Sequence, residues 1–186
     1  MRHKYSSEVL VLGRHPYNEA GSVLSLLSRD LGLIHARAEG VRRSGARLAH
    51  ALQTLSLTHA TLVRGKEVWR VTGATLEKEY VRELGSSARN RIARVSGLLQ
   101  RILAREDADE RIFECFHEFL QALTTLKEEE QNAAETLVVL RILSILGFDA
   151  GDPIPEGYGP DARAYVDAHH KQLIARVNKG IAATGL

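Results

Sequence analysis

The sequence predicts an α+β chain, a small β-barrel or sandwich followed by an all-α helical bundle. Three observations carry this: apolar residues alternate before residue 80, Gly-bearing turns separate those short segments, and the apolar period lengthens to 3.6 residues after Gly85. The expected domains are residues 1–80 and 81–186, joined near 81–88.

Glu8-Val9-Leu10-Val11-Leu12 is the first strand candidate. Val23-Leu24-Ser25-Leu26-Leu27 has a spacing that also suits a helix, but Asp30-Leu31-Gly32 after it suits a strand-to-strand turn, and it is read as a strand. From Leu33 to Val41, Ile34, Ala36 and Ala38 point to one face while His35, Arg37 and Glu39 point to the other. Residues 54–76 read as a hairpin turning at Gly65-Lys66, with a loss of phase around His59 and Ala60 that predicts a bulge there. Beyond Gly85, Ile92, Val95, Leu98, Leu99, Ile102 and Leu103 form one helical stripe, and Ile112, Phe113, Phe116, Phe119, Leu120 and Leu123 form a second. The helix over 132–146 is apolar almost all round, which predicts a central buried position and a stop at Gly147. A last helix is expected from Pro160 to Gly180, after the loop around Asp152-Pro153-Ile154-Pro155.

The net charge of +2 hides an uneven distribution. Residues 1–70 hold 11 Lys/Arg against 5 Asp/Glu, residues 71–105 hold 7 against 3, and residues 106–186 hold 7 against 15. A basic front and an acidic back point to a polyanionic partner for the N-terminal part. No apolar run exceeds four residues, whereas a membrane span needs roughly 20. The basic start runs to Glu8 without the apolar stretch of a secretion signal, so a cytoplasmic location is expected. A single cysteine, Cys115, excludes an intramolecular disulfide and a Cys-based zinc site, and its place beside the phenylalanine stripe predicts an inert buried thiol.

Catalytic patterns are absent. Gly40-Val41-Arg42-Arg43-Ser44-Gly45 lacks the Lys-Ser/Thr end of a phosphate loop and the spacing of a dinucleotide fingerprint. His117-Glu118 has no second histidine four residues on, and the adjacent His169 and His170 diverge by about 100° on a helix. The expectation is a protein that is not an enzyme and needs no cofactor or metal.

Basic residues of the β part supply the candidate site. Arg37 projects from the solvent side of its strand, Arg42, Arg43 and Arg47 follow in the next loop, and Arg64, Lys66 and Arg70 belong to the later hairpin. Guanidinium groups brought together in this way bind nucleic-acid backbone, because each neutralised phosphate releases condensed counterions. Of the aromatics available for stacking bases, Tyr5, Tyr17, Trp69 and Tyr80, only Trp69 clearly falls in a strand, so contacts with phosphates should dominate.

The stretch Ala38-Glu39-Gly40-Val41-Arg42-Arg43-Ser44, then Arg47-Leu48, then Leu52-Gln53-Thr54-Leu55, resembles the signature of the RecO family of bacterial DNA-repair proteins. Val9-Leu10 through Arg14 and Glu19 to Leu26-Leu27-Ser28 and Gly32 is similar to the same family upstream, as is Leu140-Arg141-Ile142-Leu143 with Leu146-Gly147-Phe148 downstream. The resemblance implies an N-terminal OB-fold barrel and a helical domain in a recombination mediator without a catalytic site. It further implies binding and annealing of single- and double-stranded DNA, contact with the C-terminal tail of single-stranded-DNA-binding protein, and RecA loading together with RecR. The chain departs from the family pattern in Glu39, in Thr54-Leu55, and in having no cysteines where many members carry a zinc module, near Gly151-Asp152-Pro153.

Two features stand outside the barrel. Arg91, Arg94, Arg101 and Arg105 form a ribbon that either extends a DNA track or pairs with the acidic residues of 106–114. Arg141 falls among Leu137, Val138 and Ile145, where a guanidinium needs a partner, either a structural carboxylate or the acidic tail of another protein. The leading expectation is a DNA-binding recombination mediator. An adaptor that binds proteins without touching DNA is the alternative, and an RNA-binding barrel is a third class.

Overall fold

The computed structural model describes residues 3–41, 47–66, 68–104 and 106–186, without the side chain of Arg47. Five strands, β1 (Lys4–Pro16), β2 (Ser22–Ser28), β3 (Gly32–Ala38), β4 (Ser56–Arg64) and β5 (Trp69–Glu79), are interrupted after β3 by a short helix, α1 (Arg47–Ala51). Four helices follow: α2 (Ser86–Ile102), α3 (Glu110–Leu123), α4 (Glu128–Ile145) and α5 (Pro160–Ala183). The strands close into a barrel in the order β1-β2-β3-β5-β4, so the first part is an OB-fold and the chain is α+β.

β1 is longer than its apolar centre because it serves two neighbours. Its first half pairs with β4 from Lys4 to Leu10, and its second half pairs with β2 from Val9 to Pro16. This shared strand leaves the sheet without a free edge. β2 is a strand as read, paired along its length with β3. β3 ends at Ala38, short of Val41, where Gly40 turns the backbone to a φ of +73°. His59 and Ala60 lie in regular register, which corrects the expected bulge: the extra residues are on β5, opposite the steps Leu57/Thr58 and Thr61/Leu62.

Val9, Val11, Leu24, Leu26, Ile34, Ala36, Leu62, Trp69 and Val71 fill the barrel, and Leu48 and Leu52 pack in from the α1 region. The small hydroxyls of Ser56 and Thr58 meet that region, where both donate to the carbonyl of Ala51. Leu55 adopts a left-handed φ of 64°, rare for a branched side chain, held by its N–H on the Val11 carbonyl and its own carbonyl on the Tyr80 N–H. Gly32 also has a positive φ, and a Cβ there would lie 2.2 Å from the Asp107 carbonyl oxygen, so two independent constraints require glycine.

The chain divides into two compact units, Met1–Glu83 with Leu103–Phe113, and Leu84–Ile102 with Glu114–Leu186. Residues 103–113 group with the barrel although their periodicity reads as helical. The Glu106 N–H donates to the Leu33 carbonyl at 3.1 Å, and Arg29 reaches both Glu110 and the ring of Phe113. In the second unit α4 packs against α2 and α5 and is buried on nearly every side, ending where Gly147 takes a φ of +78°. Cys115 is buried there, and that burial pushes its thiol up to about 11, so it stays protonated at neutral pH. Among the described residues, no helix is long and apolar enough to cross a membrane.

Candidate nucleic-acid interface

Residues that alternate out of the barrel core form its outer surface, and one register row carries an unusual number of cations. Ala36 and Ala38 are in the core, so Arg37 between them points outward. Its register partner across the short parallel pairing of β3 and β5 is Arg70, which is exposed. Arg70 pairs with Val63 of β4, and Val63 with Lys4 of β1. In the other direction Arg37 pairs with Val23 of β2, and Val23 with His15 of β1. Directly opposite residues share a face, so Lys4, Arg70, Arg37 and His15 lie along one row crossing all five strands. Neighbouring strands are about 4.8 Å apart, which places Lys4 and Arg70 about 10 Å from each other at the backbone.

Like charges on adjacent strands repel, and a neighbouring aromatic ring offsets part of that cost. The Arg37 guanidinium carbon lies 4.2 Å from the centre of the Tyr17 ring, on the loop between β1 and β2.

The segment after β3 departs from the same end of the barrel. Ala38 pairs with Ser22, which pairs with Pro16, and Arg14 beside them donates through Nε to the Ser22 hydroxyl and through Nη2 to the Val41 carbonyl at 3.1 Å. Arg14 therefore anchors the backbone at Val41. Arg42 and Arg43 lie outside the described residues, and the expected loop position of Arg47 is corrected, since Arg47 is the first residue of α1. Exposed Glu39 stands at this end as well, near Asn18.

Arg64 and Lys66 are placed differently. Because β3 and β5 run parallel from the Ala36–Trp69 pair, the turn before Trp69 lies toward the Gly32 end of β3, away from Ala38 and Val41. Gly65 closes that turn with its N–H on the Val68 carbonyl, and Lys66 is exposed on it. Arg64 forms a 2.6 Å ion pair with Glu106, and its guanidinium carbon is 5.3 Å from the Trp69 ring centre. Trp69 is only 3% exposed and donates through Nε1 to Glu106, so its indole is barrel core and no platform for a base.

Two of the four helical arginines are paired within the helical unit. Arg91 and Arg94 both bind Glu135 of α4, at 2.7 and 2.6 Å, instead of the acidic residues of 106–114. Burial, the largest single influence, pushes the Glu135 carboxyl up, but the hydrogen bonds and charges of Arg94 and Arg91 together hold it below its usual range. Arg101 is exposed, and Arg105 lies outside the described residues. Among the described residues Arg141 holds no carboxylate: it donates to the carbonyls of Pro155 and Gly157, both at 2.6 Å, and lies over the Tyr158 ring. Backbone carbonyls supply the negative ends that a partly buried guanidinium requires.

The sequence singles out no role for Lys4 beside Arg70, for Arg14 at Val41, for Tyr17 on Arg37, for Glu106 on Arg64 and Trp69, or for Glu135 on Arg91 and Arg94. Lys4 becomes a neighbour of Arg70 only when β1 closes on β4, and nothing local signals it. Tyr17 was legible as an aromatic next to Asn18 in a turn-forming stretch, but its partner Arg37 belongs to another strand.

Residues 1–80 match the family described as Recombination protein O N terminal. The chain is 26% identical over 177 residues to a DNA repair protein RecO of Dehalococcoides mccartyi, covering 95% of this chain and 65% of that protein. It is 28% identical over 158 residues to a DNA repair protein RecO of Heliobacterium modesticaldum, covering 81% of this chain and 57% of that protein. A third, from a Nocardioides species, is 31% identical over 81 residues, covering 44% of this chain and 33% of that protein. The chain thus spans 65% or less of the length of these curated relatives. An OB-fold barrel in the order β1-β2-β3-β5-β4, this family match over the same residues and relatives that extend through the helices lead to one statement: residues 1–80 are similar to the N-terminal domain of recombination protein O, and the chain as a whole is similar to DNA repair proteins RecO.

Proposed function

We propose that this chain is a non-enzymatic DNA-binding recombination mediator in DNA repair, which binds and anneals strands through the basic outer face of its barrel. The observation that carries the reading is the register pair Arg37–Arg70, continued on the same row by Lys4. Arg42, Arg43 and Arg47 are further cations proposed for DNA binding from their place in the sequence after Val41, and Lys66 offers a separate cation on the opposite turn. Arg64, ion-paired with Glu106 by the turn at the other end, contributes to DNA binding only when a phosphate displaces Glu106 from it.

The mechanism is charge neutralisation. Two strands repel through their phosphates, and a row of fixed cations lowers that repulsion while releasing condensed counterions. Pairing accelerates without any covalent step, so no cofactor takes part. The names of the relatives support a role in DNA repair, and the family resemblance supports single-stranded-DNA-binding protein, RecR and RecA as partners in the cytoplasm.

A specific feature favours a partner role for the helical unit. A cavity of about 690 Å³ between α2, α4 and α5 has Val139, Ile174 and Val177 on its walls and Arg94 and Arg101 beside them. In the adaptor reading this cavity, with or without Arg141, is the working surface and the barrel touches no DNA.

Strand annealing with Arg37 and Arg70 both changed to Glu separates the two. The mediator reading expects annealing and DNA binding to be nearly abolished while the far-ultraviolet circular dichroism stays that of the parent. Unchanged binding in that variant discards the barrel surface and leaves the adaptor, and competition between DNA and RNA of one sequence tests the RNA-binding class.

A further inference from the structure

Tyr17 is 49% exposed, an unusual position for a large aromatic side chain that has no core to fill. One side of its ring is occupied by the Arg37 guanidinium at 4.2 Å. The loop that carries it is tied down at several points. The Tyr17 N–H donates to the Gly21 carbonyl at 3.1 Å, and the Asn18 side-chain oxygen accepts from the N–H groups of both Ala20 and Gly21. A Cβ on Gly21 would lie 3.0 Å from Asn18 Oδ1, so the loop is closely packed on itself. The Arg37 Nε is buried and has no hydrogen-bond partner among the described residues, so contact with the ring, and not a hydrogen bond from Nε, accounts for its place.

We infer that Tyr17, seated on Arg37, is a stacking platform for one unpaired nucleobase. This rests on the DNA-binding reading above and narrows its substrate class to single-stranded nucleic acid. An exposed, pre-positioned ring costs little ordering when a base settles on it. Arg70 lies next to Arg37 in the register, so a phosphate of the same strand has a cation within reach of the stacked base. Bases in a duplex are already stacked on their neighbours and offer no free face. The platform is tolerant of sequence, since every base has a π-face.

The test compares a natural single strand with an abasic strand of the same length, which keeps the phosphates and lacks the bases. The parent protein is expected to bind the natural strand about tenfold more tightly, the gain typical of one stacked base. Tyr17→Leu should lose that preference while its affinity for the abasic strand is unchanged, and Tyr17→Trp should restore the preference with quenching of the new indole on binding. Equal affinity of the parent for both strands, or a preference that survives in Tyr17→Leu, overturns the platform and leaves phosphate binding intact. Failure of the parent to bind either strand overturns the DNA-binding reading and the platform with it.

Discussion

The indole Nε1 of Trp69, at the start of β5, donates to Glu106 Oε1 at 3.2 Å, while the other carboxylate oxygen of Glu106 holds Arg64. One acidic residue thereby fastens the 103–113 segment to the end of the barrel remote from α1. Glu106 does so from a left-handed backbone with φ near 60°, beside the glycine at position 32 that admits Asp107. Changing Glu106 to Ala leaves the Trp69 N–H without its acceptor and is expected to destabilise the barrel unit by about 1–3 kcal/mol. Glu106→Gln keeps an acceptor and loses only a half-exposed ion pair, so its cost should be about 1 kcal/mol or less. Urea unfolding followed by the fluorescence of Trp69, the one tryptophan of the chain, measures both.

Salt dependence reports how many phosphates the barrel face neutralises. About five contacts, from Lys4, Arg37, Arg70 and the two loop arginines Arg42 and Arg43, imply a log–log slope near −3.5 on single strands. Neutralising Arg37 and Arg70 together with Gln should bring that slope about 1.4 closer to zero. A slope that does not move in titrations at several salt concentrations removes both residues from the interface.

Arg14 touches the candidate surface only through the backbone of Val41, so its effect on DNA should be indirect. Arg14→Met leaves the Val41 carbonyl without this donor and is expected to destabilise the barrel by about 1–3 kcal/mol. Binding should weaken because the backbone at Val41 loses its anchor, yet the salt slope should stay that of the parent. A slope that falls as steeply as in Arg37→Gln would make Arg14 a phosphate ligand instead.

Glu135 gives the helical unit an acid-sensitive element. Its folded carboxyl titrates below its ordinary value, so the ionised form is favoured by folding. That contribution is fully present above the ordinary carboxylate range and disappears as pH falls through the lowered folded value. Glu135→Gln should cost about 1–3 kcal/mol at pH 7, since two guanidinium groups lose their charged partner. Parent and variant should draw closer in stability as the solution is acidified. A constant gap down to pH 3 in thermal melts would show that lost packing, not charge, is responsible.

Local pattern carried much of the fold. Alternation marked β3 and the β4–β5 hairpin, and the all-round apolar stretch of α4 announced its burial, because inside and outside positions repeat at the period of the backbone itself. At Ser56-Leu57-Thr58 the pattern is less plain, because both hydroxyls donate to the Ala51 carbonyl of α1 and Leu57 is buried outside the barrel core cluster. The alternation misplaced the bulge, since a bulge is a mismatch between two strands and the sequence of one shows only half of it.

The candidate site was legible as a set of cations but not as an arrangement. Arg37 and Arg70 stand out as basic residues in strands, yet that they are neighbours follows from a parallel pairing of only two residues. Arg64 looked equivalent to them until Glu106, far along the chain, took its charge. Arg141 is only partly buried, and its partners are backbone carbonyls, which every residue possesses and no sequence can single out.

The order and kind of the elements apart from α1, the basic front and acidic back, and the likeness to one family were decided by the amino-acid sequence alone, because periodicity and composition are properties of neighbouring residues. Which cations share a row, which are spent on carboxylates, and which ring supports Arg37 were decided only by the closed barrel. Strand register and ring closure bring together residues tens of positions apart, and the energy that selects one register is summed over the whole core and cannot be read from any short stretch.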